Sequence, residues 1–115
     1  HIFDRNMEEL RSLNRTRFFL MRDLRRSKSR IKSFLLYYGE PIPTEFDNNQ
    51  WTSNFVAWLK QVQMKTPGGQ DAFDNLITSY EYHRKQLVGL SRLVRQRIRD
   101  YDRELYTLLT KISGI

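Results

Sequence analysis

The sequence of 115 residues has no cysteine, two histidines, three prolines and five glycines. Without cysteine it can form neither a disulfide nor a thiolate metal site, and two histidines make a zinc centre only where carboxylates converge on them. The longest apolar runs, residues 34–38 and 55–59, are far shorter than the roughly 18 residues that a membrane span requires. Nucleophilic triads, phosphate-cradling loops and metal motifs are also lacking. We therefore expect a soluble, intracellular protein without catalytic, cofactor or metal residues of its own.

Positive charge is abundant. Twenty lysines and arginines against 13 acids give a net charge of +7 and a pI near 10.0, which favours an anionic partner. Residues 1–38 hold ten bases and four acids, whereas the remaining 77 residues hold ten bases and nine acids. The excess is therefore concentrated in the first third of the chain.

Apolar residues recur every three or four positions near both ends of the chain, the heptad period of paired helices. The first pattern predicts a helix over about 4–38, with Asp4 as N-cap and Gly39 at its end. The last predicts a helix over about 70–112, with a loop at 39–50 and a short helix at about 52–64 between the two. The predicted seam, at the core or a dimer interface, is Leu10, Leu13, Leu20, Leu24, Ile31, Phe34, Leu87, Leu90, Val94, Ile98, Tyr101, Leu105 and Leu108.

These elements predict an all-α fold, with two long antiparallel helices and a short aromatic helix between them in one domain over residues 1–115. Either long helix exceeds the diameter of a compact globule of this size, about 35 Å, so the shape is predicted to be elongated. Further apolar residues flank the seams, and a second copy of the chain would cover them in a coiled-coil or helical-bundle dimer. The flanking residues are Met7, Phe18, Met21, Leu35, Ile77 and Leu93.

A second stripe on the first helix is mostly basic. Like charges at this spacing cost a few tenths of a kcal/mol per pair, so a counter-charge from phosphate is one interpretation. The other is a solvated coiled-coil face paired with acids of the packed helix, such as Asp100, Asp102 and Glu104. The stripe is Arg11, Arg15, Phe18, Arg22, Arg25, Ser29 and Lys32, and the candidate nucleic-acid-binding residues are its bases together with Arg26 and Lys28.

Other constellations have structural and functional interpretations. Trp51, Phe55 and Trp58 follow helical spacing and could stack bases, although a core plug is favoured. Polar residues at the seam positions Arg17 and Ser27 are typical of a device that sets helix register, and Arg17 could instead reach a phosphate.

His83, another seam position, is expected to be a packed imidazole rather than a metal ligand or catalytic group. The pairs Asp71 with Asp74 and Asp100 with Asp102 are too local to predict a cation site.

Three stretches in order resemble the central part of DEDD-type insertion-sequence transposases related to the Piv invertases. They are LRSLNRTRFFLMRDLRRSKSRIKSFLLYYG with its Arg15-x-Arg17 pair, WTSNFVAWL, and the terminal LLTKISGI. The resemblance implies the middle of a bacterial or archaeal cytoplasmic recombinase that moves a mobile DNA element and forms a coiled coil in its dimer. The implied partner is DNA and, in members guided by a bridge RNA, that RNA as well. The chain is accordingly expected to be a piece of a longer protein.

The family's catalytic residues cannot be placed on this chain. By the resemblance, four acids in a preceding RuvC-like domain bind a divalent metal such as magnesium, and a serine nucleophile lies in a following domain. That serine is not Ser113, which stands where relatives usually have proline in a P-G-I-G-like turn. A coiled-coil interaction module of another basic protein, without a nucleic-acid role, is the alternative.

Overall fold

The computed structural model describes residues 2–46, 48 and 50–113. Within these residues the chain is helical and has no strand. Helix α1 spans Ile2–Tyr37, α2 spans Ser53–Gln61 and α3 spans Pro67–Ser113, with a 3-10 turn at Thr44–Phe46. The predicted all-α fold, with a short helix between two long ones, is confirmed.

Helix α1 ends where the sequence predicts, at a glycine in the left-handed region. Gly39 has φ 68°, its N–H donates to the Leu36 carbonyl, and the Glu40 N–H donates to the Leu35 carbonyl. This is the Schellman arrangement, which pairs the last carbonyls of a helix and favours glycine. The other end differs, because α1 begins at Ile2 and Asp4 lies inside its first turn rather than at the N-cap.

Helix α2 is shorter than predicted. The Thr52 hydroxyl accepts from the Phe55 N–H and caps its start, but at Val62 the backbone becomes extended (φ −65°, ψ 127°). The side chain of Gln70 then bonds the segment that follows α2, accepting from the Met64 N–H at 2.7 Å. These contacts replace the last helical turn that the sequence pattern predicted.

Helix α3 begins at Pro67, three residues before the predicted start. The Thr66 hydroxyl accepts from the Gly69 N–H at 3.0 Å, which makes Thr66 the N-cap and leaves proline at the first helical position, where its missing N–H costs nothing. Two positions of the predicted loop before α2, Asp47 and Asn49, lie outside the described residues, as do Gly114 and Ile115 of the terminal stretch.

The chain divides into two compact units, a division the sequence did not predict. Unit 2 is Asp23–Arg84, and the described part of unit 1 is residues 2–22 and 85–113. Both long helices contribute a segment to each unit. None of the helices in the described part of the chain has the length and apolar character that a membrane span requires.

Unit 2 has a dense aromatic core. Phe34 stacks on Phe73 with ring centroids 5.5 Å apart. Leu35 and Ile77, predicted to flank the seams for a partner, are instead 1% and 6% exposed in this core, because α2 packs over them. The buried cluster is Ile31, Leu35, Phe55, Leu59, Val62, Phe73, Ile77 and Tyr80.

Unit 1 is an antiparallel pair of helix segments from α1 and α3. Asn6 donates to Glu104 at 3.3 Å, the Tyr101 hydroxyl donates to Glu9, and Arg17 lies nearer the other end of the pair. Val94, 8% exposed, is the one buried apolar residue among those described in this unit. Two helices therefore meet along a narrow apolar seam.

Candidate nucleic-acid interface

In unit 1 the stripe residues of α1 are exposed. Arg11 lies 3.8 Å from Glu8 on its own helix, and the Arg22 guanidinium lies 5.2 Å from the centroid of the Phe19 ring. Neither Arg15 nor Arg22 forms an ion pair with a described carboxylate. The positive charge of these two exposed residues is therefore not neutralised by a described carboxylate.

Asp100 and Glu104, two of the acids of α3 in unit 1, bond residues outside the stripe. Asp100 pairs with Arg97 at 3.4 Å and with Arg103 at 2.6 Å, both on its own helix. Glu104 accepts from the amide of Asn6. Within the described residues, the predicted alternative of stripe bases paired with Asp100, Asp102 or Glu104 is not seen.

A groove of about 700 Å³ lies in unit 1, lined by Arg5, Glu8, Glu9, Arg97 and Tyr101 among others. The hydrogen bond to Glu9 raises the pKa of Tyr101, with smaller contributions from desolvation and from the Glu9 charge. Charges of both signs line this groove, so it has no clear preference for anions.

The candidate bases in unit 2 fall into two groups. Arg25 and Arg26 are exposed, whereas Lys28 and Lys32 are half-buried. The Lys28 ammonium lies 5.9 Å from the centroid of the Trp51 ring, a cation–π distance. Burial is the main cause that lowers the pKa of Lys28, followed by the positive charges of Lys32 and Arg84.

The three aromatic residues around α2 have different environments. Phe55 is fully buried and stacks on Trp58 with ring centroids 5.9 Å apart. It therefore packs in the core and is not accessible to a base. Trp58 is half-buried against Phe46. Trp51 is half-buried and packs on Tyr80 with ring centroids 4.8 Å apart, at the edge of a cavity.

That cavity, of about 280 Å³, lies in unit 2 between α2 and α3. Its walls include the rings of Trp51 and Tyr80, and Arg84 reaches it from α3. Arg84 is a functional candidate that sequence reasoning missed, because it belongs to a different helix from the basic stripe and only folding places it near Lys28. The full lining is Trp51, Ser53, Val56, Ala57, Lys60, Tyr80, Glu81 and Arg84.

Both polar seam residues have structural partners. The Arg17 Nε donates to the Ser91 hydroxyl across unit 1 at 3.2 Å, and the role of Arg17 in setting register stays a prediction. Ser27 is 2% exposed and donates to the Asp23 carbonyl at 3.1 Å, one turn earlier in α1. Neither arrangement requires a ligand.

The predicted seam residues are covered to different degrees. Ile31 and Val94 are buried, Ile98 and Leu105 are 43% and 37% exposed, and the rest are half-buried. Exposure of apolar seam positions is confined to the α3 segment of unit 1. The half-buried set is Leu10, Leu13, Leu20, Leu24, Phe34, Leu87, Leu90, Tyr101 and Leu108.

His83 is half-buried, and its Nδ1 has no hydrogen-bond partner among the described residues. Asp74 accepts from the Gln70 amide at 2.9 Å. Across the part of the chain that the structure describes, no group of three or more His, Cys, Asp or Glu side chains could hold a metal ion.

The candidate bases of α1 are therefore exposed in unit 1 and at Arg25 and Arg26 of unit 2, whereas Lys28 and Arg84 lie beside an aromatic cavity in unit 2. Compared with known proteins, the chain matches no family model, no curated protein and no solved structure.

Proposed function

We propose that the chain is the dimerising, nucleic-acid-contacting middle region of a transposase, a DNA recombinase of an insertion sequence or similar mobile element. The resemblance of three ordered stretches supports the family, and the basic surface supports the contact. In this proposal DNA transposition is catalysed by residues outside this chain, and no residue of it is assigned to the magnesium ion or to the serine nucleophile.

The observation that carries the nucleic-acid role is the uncompensated charge of α1. Arg15 and Arg22 are exposed without a described carboxylate partner, while Asp100 of α3 pairs with Arg97 and Arg103 and Glu104 bonds Asn6. Phosphates of DNA or of a guide RNA supply the missing counter-charge, and each neutralised phosphate releases counterions.

Dimerisation is the second part of the proposal. Unit 1 leaves large apolar side chains exposed, including Phe18 at 57%, Leu93 at 53% and Met7 at 52%, while burying Val94. A two-stranded helical pair buries little apolar surface, and a second copy in a coiled coil covers such residues. The same exposed side chains favour the alternative function, a coiled-coil interaction module without a nucleic-acid role.

A binding titration tests the nucleic-acid contact. Filter binding of duplex DNA and of structured RNA is measured at two salt concentrations for the wild type and for the double variant Arg15→Glu, Arg22→Glu. We expect the variant to lose salt-sensitive binding, because wild-type affinity falls with salt by a logarithmic slope of about 0.9 per neutralised phosphate of a duplex. Sedimentation equilibrium should show an unchanged dimer.

The matched control is Arg95→Glu with Arg99→Glu, which changes the same charge on exposed residues of α3 in unit 1. Its affinity should stay much closer to that of the wild type. An equal loss in both double variants would mean that net charge alone drives binding. A wild type that dimerises but binds neither nucleic acid would favour the interaction module.

A further inference from the structure

The cavity of unit 2 places an aromatic ring beside two positive charges. The half-buried indole of Trp51 lines it, backed by the buried ring of Tyr80 and with Val56 and Ala57 of α2 beside it. The Lys28 ammonium lies over Trp51, and Arg84 lines the cavity. Apolar ring surface next to cations is a combination that suits a nucleotide better than either a simple anion or an apolar ligand.

These two cations and Lys32, the basic cluster, are not neutralised by the described part of the chain. None of Lys28, Lys32 and Arg84 forms an ion pair with a described carboxylate. The carboxylate of Glu81, which lines the cavity, forms a salt bridge with Lys60 at 3.1 Å. Lys28, over the Trp51 ring, and Arg84, in the cavity lining, therefore carry positive charge that can attract an anion.

Packing alone does not explain the cluster. Burial lowers the pKa of Lys28, and the positive charges of Lys32 and Arg84 lower it further. Like charges at the edge of a folded core repel each other and do not stabilise it. A bound phosphate would attract these cations and offset their repulsion. The indole of Trp51 is half-buried at the cavity, in contrast to the fully buried ring of Phe55, so Trp51 is accessible to a ligand.

We propose that this cavity accepts one unpaired nucleotide of a DNA or RNA strand, with the phosphate on Lys28 and Arg84 and the base against the indole of Trp51. The proposal rests on the proposed nucleic-acid function and adds a preference for single-stranded segments. Stacking against aromatic side chains contributes about 1–3 kcal/mol per base and tolerates any sequence. A duplex, whose bases are already stacked and paired, gains only the phosphate contact.

Nuclear magnetic resonance of the indole N–H groups tests where the base binds. The chain has two tryptophans, so Trp58 serves as an internal control for Trp51. The probes are an oligothymidylate of about 12 nucleotides, within the range of such sites, and an abasic strand with the same number of phosphates. We expect oligothymidylate to shift the Trp51 signal and leave the Trp58 signal nearly unchanged, and the abasic strand to shift Trp51 much less. Equal shifts with both strands would show that no base enters.

Filter binding of the oligothymidylate tests the phosphate contact. Lys28→Met and Arg84→Met remove charge while keeping an unbranched side chain, and each should weaken binding about tenfold, with a shallower salt dependence. Lys65→Met removes an exposed charge of unit 2 outside the cluster and should change the affinity less than twofold. Equal effects of all three substitutions would overturn the assignment.

The two proposals fail differently. If Arg15→Glu with Arg22→Glu abolishes duplex binding while the cluster variants bind oligothymidylate like the wild type, the cavity proposal alone is wrong. If the wild type binds no nucleic acid at either salt concentration, both are wrong. Circular dichroism of each variant checks that it is folded.

Discussion

Lys28 stands in a position that is unfavourable for its charge. Burial, then Lys32, then Arg84 lower its pKa below the ordinary value of 10.5, so the folded state binds this proton less tightly than the unfolded chain does. The contact of its ammonium with the Trp51 ring offsets part of that cost.

Lys28→Met should therefore change the free energy of unfolding in a pH-dependent manner. The penalty for the charged lysine is fully present below its folded pKa and disappears as the pH rises through that value toward 10.5. We expect the advantage of the variant over the wild type to be largest at neutral pH and to shrink as the pH rises through this range. Urea unfolding followed by circular dichroism between pH 7 and 11 measures it.

Lys65→Met, which removes the same charge at an exposed position of unit 2, corrects for the general effect of net charge. A Lys28→Met advantage that keeps its size up to the highest pH would show that the difference comes from packing instead.

The start of α3 depends on two adjacent glycines with different surroundings. A β-carbon at Gly69 would lie 2.9 Å from the Thr66 hydroxyl oxygen that caps the helix, whereas one at Gly68 would meet nothing within 4 Å. The cap and the added methyl group therefore compete for the same space at Gly69. The sequence alone does not distinguish Gly68 from Gly69.

Gly68→Ala should stabilise the protein by about 0.4–1 kcal/mol, because alanine reduces the conformational freedom of the unfolded chain. Gly69→Ala should lose this gain or destabilise, because moving the Thr66 hydroxyl sacrifices a cap worth about 1 kcal/mol. Urea denaturation of the two variants measures the difference. The competition is disproved if Gly69→Ala stabilises as much as Gly68→Ala does.

Local patterns predicted the helices well and their ends less well. Gly39 marked the end of α1 correctly because a left-handed glycine acts through its own backbone. The end of α2 at Gln61 depends on Gln70, which lies in the next helix, and no periodicity includes such a contact.

The candidate site shows the same limit. The exposed arginines could be predicted from one helical stripe, whereas Arg84 joins Lys28 and Trp51 only through the packing of three segments.

For the molecule as a whole, buried apolar surface is distributed unequally. Among the described residues, the buried core cluster lies entirely in unit 2, and unit 1 contributes Val94. Since burial of a large apolar side chain contributes roughly 1.5–3 kcal/mol, the two units should differ in local stability.

Native-state hydrogen exchange should reveal this inequality. In dilute solution, amides of residues 2–22 and 85–113 should be protected at least about tenfold less than amides of the unit 2 core. If a second copy covers unit 1, as proposed, protection there should rise with protein concentration while unit 2 changes little. Uniform protection at every concentration would contradict both expectations.

Both indoles of the chain, Trp51 and Trp58, belong to unit 2. Tryptophan fluorescence, excited at the long-wavelength edge of protein absorption, therefore reports on unit 2. Far-ultraviolet circular dichroism averages over all the helices of the chain. Heating one unlabelled sample and recording both signals amounts to a test of cooperativity. Coincident midpoints mean that the molecule melts as a single entity, and an ellipticity loss that precedes the emission change means that unit 1 frays first.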